Sequence, residues 1–144
     1  PAYDCFKIYG SQERLGSGRI GKLEKPMQLG KIIERIKKYT GAKAIGVVGK
    51  EKRLVKTAAV CAGSCGRIIN SVIAAKADLY VTGELKHHLA LAASESGLTC
   101  ICLGHSVSER FIVKKFAKQL QKEAKEVTIR ISKKDAEPFT WKKL

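Results

Sequence analysis

The sequence is poor in the features that would tie it to a membrane or to an oxidised scaffold. No uninterrupted apolar run approaches the roughly 18 residues of a spanning helix, and no charged, apolar and small-residue succession marks a secretory signal. Aromatic residues make up only 6% of the chain, and none of them is interleaved with basic residues as an RNA-binding fingerprint requires. There is no lysine-bearing phosphate loop and no dinucleotide fingerprint. Cysteine is sparse and odd in number: Cys5, Cys61, Cys65, Cys100 and Cys102. Cys61-x3-Cys65 lacks a partner pair at zinc spacing, so a closed four-cysteine metal site has too few ligands. Two of the cysteine pairs fall in or beside apolar β-like runs, a pattern that predicts reduced, buried thiols in a reducing compartment, hence a cytoplasmic location. Acidic residues are also scarce, 13 against 28 Lys and Arg, which leaves a net charge of +15.

What is present predicts one core. A chain of 144 residues with 44% hydrophobic content is long enough to bury roughly two thirds of its unfolded surface, so residues 1–144 are expected to form a single α/β domain. The chain begins at Pro1 without an initiator Met, which leads us to expect a fragment or a processed product. The charge predicts attraction to nucleic acid, acidic proteins or phosphate-bearing ligands through a field that salt screens. Lys31, Arg35, Lys37, Lys38, Lys114, Lys115, Lys118, Lys122 and Lys125 fall on helix-like segments, so the simplest reading of them is the solvated face of amphipathic helices.

Along the chain, residues 3–9 alternate like a strand, and a glycine-rich stretch from Gly10 to Gly21 is expected to interrupt regular structure. From Pro26, the spacing of Leu29, Ile32, Ile33 and Ile36 predicts an amphipathic helix stopped by Gly41. Residues 43–49 form a short apolar run. One design then repeats three times: TAAVCA through GSCG into RIINSVIAAK, DLYV through TGE into LKHHLALAASESG, and LTCICL through GHS into a long basic helix. This is the pattern of strand-crossover-strand units in a largely parallel sheet. The long helix carries Ile112, Val113, Phe116 and Leu120 on one stripe. EVTIRI (126–131) alternates and is expected to be an edge strand; no element is assigned to the tail from Ser132, which contains Trp141. In a parallel sheet the three turns emerge together at the carboxyl edge, where open α/β proteins bind ligands.

His105 and Glu109 are four apart at the start of the last helix and can share a face. Imidazole and carboxylate together suit Zn, Mn, Fe or Co. A competing reading is a capping box, with Ser106 as N-cap and Glu109 reaching back to it; spacing alone leaves both open. His87 and His88 point in different directions from a helix. His88 is then either a semi-buried packed histidine or, with Glu84, a proton shuttle or a supporting group at the edge. Gly63, Ser64 and Gly66 form either a tight connection or an anion-cradling turn.

Taken together, GSGRIGKL (16–23), AAVCAGSCG (58–66), KADLYVTGELKHH (76–88) and GHSVSER (104–110) resemble the Nif-three-like family, also labelled GTP cyclohydrolase one type two. SKKDAEPF near the end resembles the family's carboxyl terminus. The resemblance implies an α/β fold with a mostly parallel or mixed sheet flanked by helices, a two-metal site and ring-like homo-oligomers. It implies that His105 and Glu109 are metal ligands, that Thr82, Glu84 and His88 line the pocket, and that Gly63, Ser64 and Gly66 form its glycine turn. Cys65 stands where a small residue is usual. The family's other ligands, a His-His-Pro segment and a later aspartate in an amino-terminal half, have no counterpart, so this chain matches one half and needs an oligomer, a separate chain or a further segment to complete the site.

Two functional classes follow: a metal-dependent hydrolase-like protein acting on a phosphorylated or nucleotide-like compound, with Glu84 or His88 moving protons, or a basic interaction module docking on RNA, a ribosome or chromatin.

Overall fold

The computed structural model describes residues 16–134 and 136–140, and the backbone of 3–7. Six strands form one mixed sheet in the order β1-β2-β4-β5-β6-β3. Its elements are β1 (Tyr3–Lys7), β2 (Gly16–Gln28), α1 (Leu29–Thr40), β3 (Gly46–Val48), β4 (Leu54–Cys61), α2 (Ile69–Ala74), β5 (Leu79–Thr82), α3 (His87–Glu95), β6 (Thr99–Cys102) and α4 (His105–Glu123). Only β4, β5 and β6 run parallel. β1, β2 and β3 pair antiparallel, so the largely parallel sheet expected from the repeats holds for its centre alone.

The central strands are apolar on both faces because both are covered. Tyr80 and Cys100 point into one cluster with Ile69, Val72 and Ala93 of α2 and α3. Their neighbours Leu79 and Ile101 point into the other, with Leu29, Ile32 and Ile36 of α1 and Val107 of α4. The period-2 alternation thus divides two cores between two helical layers.

α1 ends as expected at Gly41, whose φ of 71° lets its N–H return to the Lys37 carbonyl at 2.9 Å. Other expectations are corrected. The helix begins at Leu29 rather than at Pro26, because residues through Gln28 belong to β2. The glycine-rich stretch is strand from Gly16 onward; Pro26 is tolerated there because the β2–β4 register shifts between Lys22 and Met27. Ile8, Tyr9 and residues 10–15 of the expected strand and loop lie outside the described residues, as does Trp141. EVTIRI is not a strand. Gln121 serves its backbone instead, donating to the Val127 carbonyl at 2.9 Å and accepting from the Ile129 N–H at 3.0 Å.

The α1/α4 layer is open. A cavity of about 500 Å³ lies between these helices and the sheet, lined by residues that include Leu23, Ile36, Val81, Leu103 and Phe111. On α4, the apolar stripe is exposed at three of its positions: Ile112, Val113 and Phe116 are 45%, 41% and 57% accessible.

Candidate metal-facing edge

Backbone hydrogen bonds lock the three turns together. The Gly63 carbonyl accepts the N–H groups of Gly83 at 3.0 Å and Glu84 at 3.2 Å, and the Gly83 carbonyl accepts that of Gly104 at 2.8 Å. The convergence expected from topology is therefore direct contact. Glycine is required at two of these positions. A Cβ on Gly83 would sit 2.6 Å from the Gly63 carbonyl oxygen. One on Gly63, whose φ is +69°, would sit 2.5 Å from a Glu109 carboxylate oxygen and 3.2 Å from His105 Nε2.

His105 opens α4 and leans over this floor. Its Nδ1 lies 3.0 Å from Glu84 Oε1 and its Nε2 lies 3.5 Å from Glu109 Oε2. All three side chains are about half exposed. The hydrogen bond that the His105 ring donates to the Glu84 carboxylate holds the His105 pKa above the usual imidazole value; it outweighs the opposing desolvation, and the charge of Glu109 adds to it. The same bond lowers the Glu84 carboxyl, and the Ser64 hydroxyl contributes in the same direction. Carboxylate, imidazole and an outward Nε2 form the arrangement by which proteins orient a metal-binding histidine.

The donor set fits one side of a metal centre. His105 Nε2 and Glu109 face the same opening while Glu84 is occupied on the opposite nitrogen. No group of three His, Cys, Asp or Glu converges to hold an ion among the described residues.

The capping box does not form. Gly104 is the N-cap and makes no side-chain cap, and Ser106 lies inside the first turn, where its hydroxyl contacts the Glu137 carboxylate. Ser108, a residue that sequence reasoning passed over, is the bracket instead. Its buried Oγ accepts the Gly63 N–H at 2.8 Å and donates to the His105 carbonyl at 2.7 Å. Its only sequence signal is a small hydroxyl on the inner face of an otherwise basic helix.

Thr82 is 1% exposed, and its hydroxyl donates to the Gly63 carbonyl at 3.3 Å. Gly63 and Thr82 thus shape the turn from within, while Ser64 presents its hydroxyl at the surface. Gly66 packs against α3, with Leu89 occupying the space of a side chain. His87 and His88 are both exposed on the first turn of α3, and among the described residues His88 makes no hydrogen bond with Glu84.

The cysteines also differ from expectation. Cys61 and Cys65 form a disulfide across the turn, their Cα atoms 5.9 Å apart, with Gly63 in the left-handed region between them. Cys100 and Cys102 are free. Burial pushes the Cys100 thiol up to about 12. The Cys5 side chain lies outside the described residues.

A family profile described as Duf34/NIF3 (NGG1p interacting factor 3) matches residues 4–138. The chain belongs to the NIF3 family. It is 38% identical over 136 residues to a protein NIF3 homolog of Schizosaccharomyces pombe, covering 89% of this chain and 48% of that protein. It is 28% identical over 144 residues to a GTP cyclohydrolase 1 type 2 homolog of Halalkalibacterium halodurans, covering 98% of this chain and 39% of the relative. Among solved structures, a Bacillus cereus protein related to NIF3 superposes with a TM-score of 0.76 at 34% identity, covering 86% of this chain and 35% of the other. The chain thus spans about half or less of the NIF3 relatives it matches and corresponds to one part of their fold. No helix among the described residues is long and apolar enough to cross a membrane.

Proposed function

We propose that this chain is the metal-facing part of a NIF3-type, metal-dependent hydrolase acting on a phosphorylated or nucleotide-like compound. The observation that carries this reading is the His105 cluster: Nδ1 held by Glu84 at 3.0 Å, Nε2 and Glu109 facing one opening. A divalent Zn, Mn, Fe or Co ion bound there would supply Lewis acidity and a more acidic water. The chain's own contribution is orientation and proton handling. Glu84 fixes the imidazole, and the exposed His88 on α3, with Glu84, is the group we assign to proton transfer. Ser64 and the lysines near the edge favour an anionic substrate, in keeping with the cyclohydrolase name of the H. halodurans relative.

The missing donors come from a partner segment or subunit of the same family. His105, Glu109, Ile112 and Phe116 follow one another at four-, three- and four-residue steps along α4, so the ligand pair and the exposed apolar residues share one stripe. A segment docked on that stripe covers the apolar side chains and reaches the ligand pair, and in an oligomer it can belong to a second copy.

Calorimetric titration of the 144-residue chain with Zn or Mn tests this reading. Binding weaker than micromolar, abolished in His105→Ala, is expected of two ligands. Binding unaffected by His105→Ala overturns the assignment.

One observation favours a second reading, a basic interaction module. α1 and α4 lie in the same layer, and their lysines from Lys31 to Lys122 are exposed. Nucleic-acid binding that falls steeply with salt and survives His105→Ala would support it.

A further inference from the structure

We propose that Cys61 and Cys65 are a reversible thiol–disulfide pair, a redox modification site built into the turn that floors the His105–Glu109 edge. The proposal does not depend on metal binding or on hydrolase activity.

Three observations carry it. The Cα separation of 5.9 Å is the spacing at which an unstrained backbone brings two cysteines into bonding range. Both thiols also have partners waiting in the reduced state. In the bridged state the Ser17 carbonyl lies 2.8 Å from the Cys61 sulfur and the Ala62 carbonyl lies 3.2 Å from the Cys65 sulfur, so each thiol released by reduction has a carbonyl acceptor beside it. The backbone holding the pair is anchored independently of the bond: Tyr80 donates to the Cys65 carbonyl at 2.9 Å, and Ser108 accepts the Gly63 N–H. One backbone therefore serves both oxidation states. Access is unequal, since Cys61 is 3% exposed while Cys65 is partly accessible, which makes Cys65 the sulfur that exchanges with solution.

The oxidant is a low-molecular-weight disulfide of the glutathione type. The Cys65 thiolate attacks one of its sulfurs, forming a mixed disulfide and expelling one thiolate. Cys61, giving up its proton, then attacks the Cys65 sulfur, forming the Cys61–Cys65 bond and expelling the second thiolate. Two cysteine thiols lose two electrons and two protons, and one small disulfide becomes two thiols; an excess of dithiol reverses the exchange. The bridge closes the loop around Gly63, whose carbonyl accepts the N–H groups of Gly83 and Glu84 and whose N–H is held by Ser108, the residue bonded to the His105 carbonyl, so the redox state sets the stiffness of the edge.

Alkylation with mass spectrometry on the 144-residue chain, in buffers of varied ratio of reduced to oxidised glutathione, tests the proposal. The wild-type chain should lose both Cys61 and Cys65 from the alkylated set under oxidising conditions and regain them with a dithiol, with an unchanged far-ultraviolet dichroism spectrum. Amide exchange across 62–66 should be slower in the oxidised state. Cys61→Ser should trap one glutathione on Cys65, because the resolving thiol is gone. Persistent alkylation of both thiols at every glutathione ratio overturns the proposal. So does a bridge that opens only when the dichroism spectrum is lost. If Cys61→Ser does not fold, the wild-type titration still decides.

Discussion

The imidazole Nδ1 of His105 meets Glu84 Oε1 at 3.0 Å, joining the turn after β5 to the first residue of α4. Neither side chain is buried, and what fixes the pair is the backbone beneath it. The Glu84 N–H is bonded to Gly63, and the His105 carbonyl is bonded to Ser108, which itself holds Gly63.

Because the Glu84 carboxylate stabilises imidazolium, His105 should titrate above the ordinary histidine value, and Glu84→Gln should move its midpoint downward. The pair's contribution to stability is complete below the unfolded pKa of about 6.5 and is lost as pH rises through the raised folded value. Imidazole chemical shifts followed by NMR between pH 5 and 9 (roughly the range bracketing a histidine) check the direction. An unmoved midpoint in Glu84→Gln would show that the hydrogen bond does not form in solution.

Gly63→Ala should destabilise the chain by about 2 kcal/mol or more. The left-handed φ of +69° costs an L residue roughly 1–2 kcal/mol, and the new methyl must also displace Glu109 and His105. The shift in the midpoint of urea unfolding measures it, and a midpoint equal to wild type contradicts the geometry.

Asp78 links the start of β4 to β5. Its carboxylate takes Arg53 at 2.9 Å and the N–H groups of Lys56 and Thr57 at 2.9 and 3.0 Å. Burial raises its pKa, but the Arg53 bond and the two amides outweigh that and hold it below the usual carboxylate value. This stability is present above the unfolded pKa of about 3.9 and disappears as pH falls through the lower folded value. Asp78→Ala should cost about 2 kcal/mol at neutral pH, and the gap from wild type should close in acid. Denaturant melts at pH 7 and pH 3 (roughly one unit below the unfolded carboxylate) compare the two.

Substitutions on the two sides of the sheet-and-helix layer should behave oppositely. Ile101→Ala removes a fully buried side chain and should cost about 2–4 kcal/mol. Ile112→Ser on the exposed stripe of α4 should change stability of this chain by less than about 0.5 kcal/mol. Thermal unfolding distinguishes them. A large loss for Ile112→Ser would mean that α4 packs inward in solution.

The parts of the fold legible in the sequence are those where one local rule dominates. Apolar runs ending in glycine turns located β4, β5 and β6, and Gly41 stopped α1 where its positive φ demands. The expected strand at 126–131 failed because alternation carries no information about a partner, and Gln121 satisfies that backbone from the end of α4. β2 escaped notice because glycine and proline suppress the strand signal, while pairing with β4 across a register shift accommodates both.

The sequence alone determined the central three-strand repeat, the placing of its turns at one edge, and His105 and Glu109 on one helical face, since helical and strand periodicities are local properties of the backbone. Only the tertiary structure decided which carboxylate orients His105, that Ser106 does not cap α4, that Cys61 and Cys65 meet, and that the apolar stripe of α4 faces outward. Each of these depends on the approach of segments distant in sequence or on the sense of a bend, and hydrogen bonds among Gly63, Gly83, Glu84 and Ser108 set that approach.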